Sequence, residues 1–62
     1  TGDVIMEAFG IPPSREVGII KTAVREAILD GDIPNEFEPG FQRMVEEGTK
    51  LGLTLKKQVH TP

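Results

Sequence analysis

The chain has 62 residues, no cysteine, and a formal charge of −3 spread over ten acids and seven bases. A domain of this size buries only about 60% of the surface its unfolded chain exposes, so its stability margin is thin, and neither a disulfide nor a metal-ligand cluster is present to staple it. No apolar run approaches the roughly 20 residues needed to span a bilayer, no basic stretch followed by an apolar run marks a signal peptide, and the overall charge is too acidic to grip nucleic acid through bulk electrostatics.

Thr1 to Phe9 reads as a short helix. Thr1 or Asp3 is placed to cap it, Val4, Ile5, Ala8 and Phe9 form its apolar side, and Gly10 closes it. Such a helix is far below the length that survives alone in water, so it must pack on a neighbour.

The stretch Gly10 to Asn35 organises the chain. Pro12 and Pro13 forbid a regular helix across them and hold Ile11 extended. Ser14 is then the expected N-cap, its hydroxyl accepting a bond from a first-turn N–H, with Glu16 near the positive end of the helix dipole. Gly31 supplies the left-handed stop and Pro34 prevents a restart, giving a second helix from Ser14 to Asp30. At 100° per residue, Val17, Ile19, Ile20, Ala23, Val24, Ala27 and Ile28 cover roughly half of its circumference. Either the first and third helices share that arc, or part of it docks on a domain outside this chain. The opposite side is expected to carry Gly18, Lys21 and Arg25 in one row. Neither cation has an acid three or four residues away, so the row is open to an outside anion as well as to plain solvation. Gly18 costs helix propensity, which points to a close approach by another backbone or a phosphate.

Asn35 to Leu51 is the third helix, with Phe37, Phe41, Met44, Val45 and Leu51 on one face and Gly48 in the same stripe. Two starts compete: Asn35 with Glu38 at capping-box spacing, or Pro39 at the first helical position. Arg43–Glu47, Glu46–Lys50 and Glu47–Lys50 are all spaced to pair. Gly52 stops the helix, Leu53 folds back on it, and Thr54 to Pro62 is expected to be extended or frayed, with Lys56 and Lys57 making it basic. The pattern describes an all-α fold, a bundle of about three helices over residues 1–53 followed by a short extended or disordered tail over 54–62.

Chemistry is sparse. His60 stands near the end with no evident partner, Ser14 is better explained as a cap than as a nucleophile, and Asp30 and Asp32 fall short of a divalent-cation shell. No glycine-rich phosphate loop exists. On these residues the chain catalyses nothing by itself, and no catalytic or metal-binding residue is assigned.

From Ile5 to Leu53 the chain nevertheless resembles a known family. The pattern IM-x-x-x-GI-x-PS-x-x-VG-x-x-K, running from Ile5 to Lys21, and the helix ending EAIL-D-G-D-IPN, running from Glu26 to Asn35, are similar to the C-terminal region of bacterial CCA-adding tRNA nucleotidyltransferases and poly(A) polymerases of the type that contains an HD domain. The resemblance implies a larger cytoplasmic parent, whose missing head would hold the nucleotidyl-transfer carboxylates, Mg2+ and CTP or ATP. It implies a helical C-terminal portion that packs on the HD or body domain and engages tRNA away from the acceptor end. This chain is more acidic than such a tail is expected to be. Under this resemblance the candidate RNA contacts are Arg15, Lys21 and Arg25, then Lys56 and Lys57. The competing reading is a purely structural cap or a dimer contact, with no membrane partner in either case.

Overall fold

The computed structural model describes residues 2–58. Three α-helices form among them, α1 Gly2–Phe9, α2 Arg15–Leu29 and α3 Phe37–Lys50, with no strand. This is the expected all-α bundle. α2 is the central element: it packs on α1 along one flank and on α3 along the other. Ile5, Ala8 and Phe9 of α1, Val17 and Ile20 of α2, and Phe41 and Met44 of α3 close one core, in which Phe9 and Ile20 are the largest fully buried side chains.

All three helices stop on glycine, at Gly10 (φ 65°), Gly31 (φ 80°) and Gly52 (φ 86°), in a left-handed backbone that other residues resist. Each stop has the hydrogen bond that ties the residue after the glycine to a carbonyl in the last turn. Ile11 N–H donates to Met6 at 3.1 Å, Asp32 to Ala27 at 2.9 Å, and Leu53 to Gly48 at 2.9 Å. Leu53 thus folds back as expected, and each bond satisfies a helix-end carbonyl that has no partner within its own helix.

The starts are less faithful to expectation. Of the two expected caps of α1, Thr1 lies outside the described residues and Asp3 stands inside the helix, in its first turn. Ser14 occupies the N-cap position of α2, but its backbone is almost fully extended (φ −162°, ψ 172°) and its hydroxyl makes no capping bond. Neither proposed start of α3 is used. Glu36 is the N-cap and Pro39 is the third helical residue. The first bond of the helix runs from Gly40 N–H to the Glu36 carbonyl at 3.2 Å, so the N–H that Pro39 lacks had no acceptor to lose. The expected Asn35–Glu38 box is therefore one residue out of register.

On α3, Arg43 and Lys50 both reach Glu47, at 3.3 and 3.5 Å, whereas the Glu46–Lys50 pair is not formed. Phe37 and Phe41 stack with centroids 5.7 Å apart. The residues after Gly52 carry no helix or strand up to residue 58, yet they are anchored. The backbone N–H groups of Lys56 and Lys57 both donate to the Ala8 carbonyl, at 2.7 and 3.0 Å, and Lys57 Nζ reaches Glu7 at 3.0 Å. The tail therefore closes the open C-terminal end of α1.

No backbone among the described residues approaches Gly18, so the first helix is not what its small size serves. A methyl group there would have no neighbour within 4 Å, and the residue is exposed. Its backbone is helical, so Gly18→Ala is expected to raise stability by about 0.5–1 kcal/mol through helix propensity and a stiffer unfolded chain. Thermal unfolding followed by circular dichroism would show the midpoint rise.

Candidate nucleic-acid interface

The five cations singled out from the sequence do not form one patch. Lys21 and Arg25 lie one turn apart on α2 and line a groove between α2 and α3. Arg15 lines a shallow hollow with Gly18, Ile19, Thr22 and Glu26 instead. Lys56 and Lys57 sit where the tail crosses the end of α1. The Lys56 stem passes so close to Gly10 that a methyl group there would come within 3.3 Å of its Cγ, and Lys57 is engaged with Glu7.

The structure corrects the expected facing of α2. Lys21 and Arg25 are not opposite the apolar arc; they form its rim, next to Val24 and Ile28. Ile19, expected within the arc, points outward and is 41% exposed. Val17, Ile20 and Ala27 set the core direction. The third helix comes to rest over Val24, leaving Lys21, Arg25 and Leu29 along an open edge.

Arg15, Lys21 and Arg25 are all exposed and have no ion pair among the described residues, in contrast to Arg43, Lys50 and Lys57. That difference is electrostatically meaningful. A solvated cation without an internal partner keeps its full attraction for an outside anion, limited only by salt screening. The helix rise sets Lys21 and Arg25 about 6 Å apart along the α2 axis.

The groove itself was not foreseen. Its volume is about 440 Å³, and its walls are Val24 and Ile28 from α2, Phe37, Phe41 and Met44 from α3, and Val4 at one end. Among the described residues the one carboxylate lining it is Glu36, at the start of α3. No group of three or more histidine, aspartate or glutamate side chains that could hold a metal ion occurs among the described residues, and no helix among them is long and apolar enough to cross a membrane.

No family model, curated protein or solved structure matches the chain.

Proposed function

We propose that this chain is a non-catalytic helical docking module from the C-terminal region of a cytoplasmic CCA-adding tRNA nucleotidyltransferase or poly(A) polymerase, and that it helps to hold and position tRNA. The spacing of the residues from Ile5 to Leu53 supports the family. The observation that carries the RNA contact is the exposed Lys21–Arg25 row, left without an acid while the cations of α3 are paired. In this reading the two cations meet phosphates of an A-form duplex, with Arg15 contributing from the helix start and Lys56 and Lys57 as secondary contacts. Such contacts fix position and carry no base readout. Mg2+ and CTP or ATP belong to the catalytic head of the parent and have no role in this chain.

The test is tRNA binding by the full parent protein, titrated against salt, with Lys21→Glu and Arg25→Glu together. Binding should weaken, and the slope of log affinity against log salt should flatten by roughly one unit for each phosphate that is no longer neutralised. A second reading, a structural cap on the HD or body domain, is favoured by the apolar groove and by Leu29, which is 75% exposed. If that reading holds alone, the double charge reversal changes neither the affinity for tRNA nor the slope.

A further inference from the structure

We infer that the groove between α2 and α3 seats a further helix, amphipathic, with an apolar stripe flanked by carboxylates. The groove has an apolar floor of Val24, Ile28, Phe37 and Phe41 and a cationic α2 wall of Lys21 and Arg25. Burial of an apolar stripe in such a cleft is the usual way in which an amphipathic helix is held by its partner.

Three observations select a helix, and its charge. Lys21, Arg25 and Leu29 are spaced by four and four, so they run along α2 for about 12 Å, the length of two helical turns. Leu29 is 75% exposed at the edge of the groove; a small ligand lodged on the floor would leave it in water, whereas a helix laid along the row covers it. The cations have no acid partner among the described residues, so carboxylates one turn apart on the incoming helix would meet them. Glu36, where α3 begins, is the one carboxylate that the described residues bring to the lining, which leaves the Lys21–Arg25 wall positive and gives the site a polarity.

Gly40 adds a fourth observation. It lies in the groove wall within α3, where glycine costs helix propensity. Among the described residues nothing requires its small size, since a methyl group there would make only an ordinary 3.9 Å contact with Val24. A glycine on a helix surface beside an apolar cleft lets a second backbone come close.

This inference stands apart from RNA binding. Phosphate and carboxylate would compete for the same two cations, and the test below contains no RNA, so the two readings fail separately. The isotope-labelled 62-residue chain is titrated with two synthetic helical peptides sharing one leucine stripe, the stripe flanked by glutamates in one and by lysines in the other. The glutamate peptide should shift the amide resonances of Val24, Ile28 and Gly40 and bind about tenfold more tightly than the lysine peptide, the effect of exchanging attraction for repulsion at exposed pairs. Lys21→Glu with Arg25→Glu should reverse that preference, and Gly40→Leu should block both peptides while circular dichroism shows the helices intact. The inference is overturned if neither peptide shifts the groove, if charge reversal leaves the preference unchanged, if decanoate alone occupies the groove, or if the same resonances move with the concentration of the chain itself, which would make a second copy the occupant.

Discussion

Gly48→Ala is expected to lower the thermal midpoint of this chain by about 10 °C, from an overpacking cost near 2 kcal/mol in a domain of this size. The cause is one contact. Phe9, 1% exposed, lies with its ring against the backbone of α3 at Gly48. A methyl group at Gly48 would stand 2.6 Å from Phe9 Cε2, 2.9 Å from Cε1 and closer still to Cζ. The ring has no free space to swing into, because Phe9 belongs to the same closed core as Ile5, Ile20 and Met44. Either the ring leaves its rotamer or α1 lifts away from α3. Against this, alanine gains up to about 1 kcal/mol of helix propensity, which the steric cost must exceed for the prediction to hold. Phe9→Leu should rescue the variant. On its own it leaves a cavity and destabilises; combined with Gly48→Ala it should cost less than the sum of the two, a coupling readable from a double-mutant cycle. A neutral Gly48→Ala would mean that Phe9 is not seated on α3.

That glycine shows where sequence reasoning reached its limit. The helix stops were legible because a glycine just after an apolar period has one dominant explanation, and Gly10, Gly31 and Gly52 all adopt positive φ. Internal glycines are ambiguous. Gly18 and Gly48 both interrupt helices, but only the tertiary arrangement decides that Gly48 faces an aromatic ring while Gly18 faces open space. Gly48 did fall in the apolar stripe of α3, which was the available signal. The start of α3 was missed by a residue or two because proline is as harmless at the third helical position as at the first. The anchoring of the tail was missed for a different reason: its hydrogen bonds are from backbone N–H groups to the Ala8 carbonyl, and backbone pairing between distant segments leaves no side-chain pattern.

The candidate site was legible in its parts and not in its setting. The periodicity of α2 named Lys21 and Arg25 as an unpaired row, and they are exposed without ion pairs among the described residues. A helical wheel cannot say where the next helix comes to rest. α3 lies with Gly40 against Val24, and beside that contact Lys21 and Arg25 line an apolar groove. Arg15, close to Lys21 in sequence, lines the other hollow for the same reason. A basic row on an otherwise acidic chain is thus given its chemical context by packing, with apolar side chains on one side of it and water on the other.

The adjacent residues Ile19 and Ile20 provide the sharpest test of which way α2 faces. Ile20→Asp is expected to abolish the folded state at neutral pH, whereas Ile19→Asp should leave the helical signal and the unfolding midpoint nearly unchanged. Ile20 is 0% exposed in the middle of the core, and Ile19 is 41% exposed on the outer side of the same helix. An aspartate at position 20 would lose the transfer free energy of the isoleucine, about 1.5–3 kcal/mol. It would also place a carboxylate among apolar groups, since no buried polar or charged side chain exists among the described residues to receive it. Leaving such a charge unpaired costs several kcal/mol more, even after protonation relieves part of it. The total stability available to 62 residues is only about 3–9 kcal/mol at typical values per residue, so the sum is enough to unfold the chain. Far-UV circular dichroism and a urea titration of both variants read the result directly. Acidification should restore part of the Ile20→Asp helix signal, because the neutral acid is cheaper to bury than the carboxylate: stability lost to a raised folded-state pKa returns as the pH falls below it. Equal damage from the two substitutions would mean that the face of α2 around Ile19, which lines the hollow with Arg15 and Thr22, is covered as fully as the face carrying Ile20.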